Sequence, residues 1–158
     1  MPKKATLERA RRDKRQGKSA STQAGEFVRE QIDEIRAGKH GARNTKQAIA
    51  IGLSQARRAG VKLAAPKKGS ASAATRRKAA QDSRRGREHP VRSEADVSRK
   101  RSAATTRALK REGTSAASRS ALSRQAHGAA RKRSAADRSR AARKAARTRQ
   151  ARESRASA

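Results

Sequence analysis

Only 15 side chains of this sequence are large and apolar (Ile, Leu, Val, Phe and Met), against 36 alanines and 44 lysines and arginines. That scarcity sets the limit on folding. Each ordered residue costs about 1–2 kcal/mol of backbone entropy, and alanine buries little area to offset it. Phe27 is the single aromatic residue in 158. Low hydrophobicity with a net charge of +31 is the composition of chains that stay partly disordered. The fold class expected is therefore mostly α and disordered.

The same composition excludes several functions. With no cysteine there is no disulfide framework, thiolate metal site or cysteine nucleophile. No apolar run approaches the ~18 residues of a membrane span. Met1-Pro2-Lys3-Lys4 is followed by Leu7-Glu8-Arg9-Ala10 rather than an apolar stretch, so no secretory signal is expected. A cytoplasmic, nucleoid location follows, and there the natural counter-charge for +31 is nucleic acid.

The large apolar residues divide the chain near residue 64. Eleven of them lie in residues 1–63, which carry 16 basic and six acidic residues. Four lie in residues 64–158, with 28 basic and seven acidic residues. Residues 64–70, containing Pro66 and Gly69, read as a linker. This gives a small helical module at 1–63 and a low-complexity basic tail at 71–158.

In the module, Arg15-Gln16-Gly17, Arg36-Ala37-Gly38 and Arg58-Ala59-Gly60 each set a cation in a last turn and a glycine beyond it. They predict two to three short helices, near 4–16, 22–37 and 45–59. Val28, Ile32 and Ile35 share one helical stripe, and Ile49, Leu53 and Ala56 another. Asn44 or Thr45 is the expected cap of the third helix, with Gln47 completing a capping box. Facing stripes would make a marginal helical hairpin, for which self-association through 22–59 is an expected support. In the tail the phrase Ser-Ala-Ala recurs at 72, 102, 115 and 134 without a fixed period. Alanine and arginine favour helix while cation repulsion opposes it, so the tail is expected to be disordered when free and helical, over 129–152, once phosphate neutralises it.

Gly38-Lys39-His40-Gly41-Ala42-Arg43, followed by the run KQAIAIGLSQARRAG at 46–60, resembles a bacterial family of small basic proteins carrying a domain of unknown function. The resemblance implies no catalytic residues and, at most, a role in DNA binding. The tail is similar in composition to linker-histone tails, although residues 64–158 hold 21 Arg, seven Lys and two Pro.

The basic clusters carry the functional reading. Arg131, Lys132, Arg133, Arg143, Lys144 and Arg147 place many cations in one stretch, joined by Arg76, Arg77 and Lys78 and, in the module, by Lys39, Arg43, Lys46, Arg57 and Arg58. Phosphate contact needs only charge density and reach. With Phe27 the single aromatic residue, there is no platform for stacking single-stranded bases. A helix-turn-helix at 22–59 has a longer connection than usual. Gly38-Lys39-His40-Gly41 matches the loop by which KH domains clamp a backbone, but no strand pattern accompanies it, and a cap glycine followed by a turn is the plainer reading.

Glu26, Glu30, Asp33 and Glu34 are expected on one solvated face opposite the apolar stripe. His40, His89 and His127 have no metal-ligand spacing, and no cofactor, metal or catalytic group is expected. The expected function is sequence-independent, histone-like binding of duplex DNA without enzymatic activity. RNA or ribosome association is the first alternative, and a protein-interaction module with an electrostatic tail the second. Membrane binding is not expected, because the tail lacks an inserting apolar face. Arg99–Ser102 fits a phosphorylation pattern that would weaken binding.

Overall fold

The computed structural model describes residues 2–88 and 99–156; His89, Val91 and Val97 lie outside the described residues. The described residues contain helices and no strand. The helices are α1 (Lys4–Arg15), α2 (Ala20–Arg36), α3 (Thr45–Arg58), α4 (Ala73–Glu88), α5 (Arg99–Lys110), α6 (Arg119–Arg131) and α7 (Ala135–Ala156), with a 3-10 turn at Ser115–Ala117. The chain separates into two compact units, Met1–Ala121 and Leu122–Ala158.

Local chemistry sets the ends of the first three helices. Gly17, Gly38 and Gly60 take φ of 67°, 69° and 86°, in the left-handed region beyond each helix. The chain closes each end with paired bonds, as in Gly38 N–H to the Ile35 carbonyl and Lys39 N–H to that of Glu34. These are Schellman caps, which only a residue without a Cβ adopts freely. At the other ends, Ser19 Oγ accepts from Thr22 N–H at 3.3 Å. Asn44 Oδ1 accepts from Gln47 N–H at 2.9 Å, while Gln47 Oε1 accepts from Arg43 N–H at 2.8 Å.

In the first unit α2 packs against both α1 and α3, and α4 packs against α3. Phe27, Ala24, Leu7, Ala10 and Ala56 form the buried cluster, flanked by Leu53, Ala59, Val61 and Leu63. Because α2 has neighbours on two sides, its buried set is wider than the predicted stripe. Phe27, Gln31 and Ile35 are its most enclosed large side chains, and Val28 is only half-buried.

Small residues allow these helices to approach. A Cβ on Gly52 would lie 2.6 Å from Val28 Cα, and one on Gly86 would lie 1.8 Å from the Arg57 carbonyl oxygen. The segment 109–117 returns to the α2–α3 connection. Gly41 N–H donates to the Leu109 carbonyl at 2.9 Å, and Ala42 N–H to the Gly113 carbonyl at 3.1 Å. Thr45 Oγ1 donates to the Ala116 carbonyl at 2.7 Å and Arg36 Nε to the Ala117 carbonyl at 2.9 Å. Ala116 and Ala117 are buried there.

The stretch 71–158 differs from its expected description. It is helical over α4, α5, α6 and α7, and the compositional break near residue 64 lies inside the first compact unit. The recurring Ser-Ala-Ala phrase accounts for part of the difference. Ser72 Oγ accepts from Thr75 N–H at 3.2 Å to cap α4, and Ser134 Oγ accepts from Asp137 N–H at 3.1 Å to cap α7. At these two positions the serine oxygen satisfies a backbone N–H of the first turn, and the alanines and arginines beyond it propagate the helix.

Gly52→Ala is expected to destabilise the first unit by about 1–3 kcal/mol, the usual range for overpacking. Urea unfolding followed by circular dichroism reads the change. An unaltered midpoint would mean that α2 and α3 do not meet so closely.

Candidate nucleic-acid interface

Charge in the first unit is sorted by where its partners lie. Three of the four acidic side chains of α2, Glu26, Glu30 and Glu34, turn to α1 and its flank. Glu26 Oε2 meets Arg9 Nε at 2.6 Å. Glu30, only 4 % exposed, accepts from the backbone N–H of Lys3 at 2.8 Å. Glu34 lies 3.6 Å from Lys3 Nζ and 3.7 Å from His40 Nε2, and accepts from Gln31 Nε2 at 3.1 Å. Asp33 is exposed, 3.9 Å from Arg29. The expected solvated acidic face is thus corrected: Glu30 is buried and Glu26 and Glu34 are half-buried, because α2 lies between two helices.

A second acid is enclosed between α3 and α4. Asp82 is 1 % exposed. Its Oδ2 accepts from Ser54 Oγ at 2.6 Å, and its Oδ1 lies 3.4 Å from Lys78 Nζ and 3.9 Å from Arg58 Nε. Arg57, 6 % exposed, donates from Nη2 to the Ala64 carbonyl at 3.1 Å. Burial lowers the Arg57 pKa from its ordinary value, and the nearby Asp82 charge opposes that shift. Arg57 is therefore corrected from a phosphate-facing to a packing residue. Arg58 is half-buried and bonded toward Ser54 as well as Asp82, and Arg76 is half-buried.

The other candidates face outward. Arg77 and Lys78 are exposed on α4, together with Arg84, Arg85 and Arg87. The last three were legible in their spacing, since they recur seven to ten residues after Arg77, while Ala79, Asp82 and Gly86 take the buried side. Lys39, Arg43 and Lys46 are exposed around the α2–α3 connection. The glycine loop itself is a cap and a docking strip. Gly38 closes α2, and the N–H groups of Gly41 and Ala42 are bonded to carbonyls of 109–113, so neither offers the donors of a KH-type clamp.

A helix-turn-helix reading of α2 and α3 fails for a related reason. α3 lies between α2 and α4, and its exposed residues are Lys46 and Ala50. A helix so flanked presents no face to a groove.

In the second unit, Arg131, Lys132 and Arg133 are exposed where α6 gives way to α7, and Arg143, Lys144 and Arg147 are exposed on α7. Asp137 pairs with Arg140. Among the described residues no group of three or more His, Asp or Glu side chains is placed to hold a metal ion. None of the described helices is long and apolar enough to cross a membrane.

Asp82→Asn is expected to lower stability by about 1.5–3 kcal/mol, the range for a hydrogen bond to a charged group. Thermal unfolding reads the loss. An unshifted transition would show that the buried carboxylate does not hold α4 to α3.

No curated protein and no solved structure matches this chain significantly. Residues 11–69, which run from within α1 through α2 and α3 to the linker, match the model of a family of unknown function, DUF6496.

Proposed function

We propose that this is a non-enzymatic, largely sequence-independent DNA-binding protein that acts by neutralising phosphates in the manner of a nucleoid-associated, histone-like protein. One observation carries the reading: four of the enclosed or half-enclosed acids of the first unit are engaged by its own cations, while a large cationic excess faces outward. Asp13, Glu26, Glu34 and Asp82 each lie within 4 Å of a protein cation and are at most partly exposed. Arg77, Arg84, Arg87, Arg131, Lys132, Arg133, Arg143, Lys144 and Arg147 are exposed. A small domain needs a net charge of only about 2–8 for solubility. An excess of +31 exceeds that by a wide margin.

The second unit contributes mainly charge. Residues 122–158 contain 12 basic and two acidic residues. Among the described residues of α7, exposed cations are interspersed with alanines and no large apolar side chain is present. A helix polar on all sides gains little from packing. Phosphate would relieve the repulsion among its cations and hold the helix, which retains the binding-linked folding expected of this region. Residues 22–59 are occupied by intramolecular packing, with α2 between α1 and α3, so self-association through them is not part of this proposal.

Neutralising Arg131, Lys132, Arg133, Arg143, Lys144 and Arg147 to glutamine should flatten the salt dependence of binding to duplex DNA. With a slope of about 0.9 per phosphate contact, losing six contacts lowers the slope of log K against log salt by roughly 5. Fluorescence anisotropy on a labelled duplex measures both slopes. Equal slopes for the variant and the wild type would contradict the proposal, and a strong preference for folded RNA would move the function to the ribosome or another RNA.

A further inference from the structure

Tail cations need only proximity to phosphate, but those of α4 are held on a packed scaffold. Its inward side is fixed by Ala79, Asp82 and Gly86: Asp82 is bonded to Ser54, and Gly86 lies against the Arg57 carbonyl, where a Cβ would come within 1.8 Å. The outward side carries Arg77, Lys78, Gln81, Arg84 and Arg87, with Ala74 and Ala80 between them. Arg77, Arg84 and Arg87 lie within one arc of the helix and span about 15 Å of its axis, at 1.5 Å per residue. The acid beside them is Glu88, 3.8 Å from Arg84, in a pair whose members are both more than half exposed. Such a pair exchanges readily for phosphate.

From this arrangement we propose that the outward face of α4 is a docking surface for the major groove and flanking phosphates of duplex DNA, distinct from the electrostatic tail. The inference rests on the DNA-binding reading above. Charge complementarity selects a polyanion, and shape selects its form. A helix of 10–12 Å diameter matches the ~12 Å major groove of B-form DNA. The major groove of A-form RNA is too deep and narrow for side chains to read. Arginine forks at 77, 84 and 87 suit bidentate phosphate contact, and Gln81 between them carries an amide able to meet a base edge. α1 also exposes cations, Lys4, Arg11, Arg12, Lys14 and Arg15, but all except Lys4 lie in its C-terminal half and Glu8 is exposed between them.

The test uses the full chain with a ~20-base-pair DNA duplex and an RNA duplex of the same length. Two variants remove equal charge: R77Q/R84Q/R87Q on α4 and R11Q/K14Q/R15Q on α1. The α4 variant should lose tenfold or more in DNA affinity relative to the α1 variant. Its salt slope should fall by roughly 3, for three phosphate contacts. RNA affinity should fall equally in both variants.

Hydrogen exchange on the wild-type chain supplies a second readout, with DNA expected to slow exchange over 73–88 and leave 4–15 unchanged. Equal loss of DNA affinity in the two variants, or no added protection of 73–88, would overturn the α4 surface while leaving tail-driven binding intact. Wild-type protein that fails to bind DNA at ~50 mM salt would overturn both.

Discussion

The first unit depends on close approach of backbones, because it has too few large side chains to fill wide spaces. Gly52 lies over Val28, Gly86 over Arg57, and Gly41 over the carbonyl of Glu112. In each place a methyl group would collide with main chain. Alanine serves the same end at positions 24, 48, 56, 79, 116 and 117, all buried. Dispersion between close backbones and small side chains replaces the contacts that leucine or phenylalanine supplies in richer cores. The one aromatic ring, Phe27, is fully enclosed in the cluster it shares with residues of α1 and α3.

Close packing brings charges together, and their arrangement links stability to function. An enclosed carboxylate is tolerable only when partnered. Glu26, Glu30, Glu34 and Asp82 meet donors from α1, its flank, the α2–α3 connection, α3 and α4. The pairing uses few of the 44 basic residues. Among the described residues, many of those left over are set outward on α4, around the α2–α3 connection and along the second unit. The acids thus hold the scaffold together without cancelling its external charge, and the proposed contact with DNA relies on that division.

Much of this was legible in the sequence. The three Arg-x-Gly stops mark three Schellman caps, and helices 4–15, 20–36 and 45–58 stand beside expected spans of 4–16, 22–37 and 45–59. Local chemistry decides helix ends, so a local reading finds them. Burial of Glu30 and Arg57 was not legible, because it depends on which neighbours dock: α1 covers one side of α2, and α4 covers α3. Nor does any pattern in 109–117 announce that its carbonyls meet Gly41, Ala42, Thr45 and Arg36. Ser-Ala-Ala-Thr and Ser-Ala-Ala-Asp were visible as a repeat. Their capping role lies in the serine hydroxyl at Ser72 and Ser134, and the copy at Ser102 lies inside α5 instead.

The central claim is that outward cations bind duplex DNA by displacing its counterions. Its most direct test is the affinity of the wild-type chain for one duplex at 50 and at 200 mM salt. With six to ten phosphates contacted, affinity should fall by roughly 10³–10⁵ over that interval. A fall of less than about tenfold, equivalent to fewer than two contacts, would contradict the account.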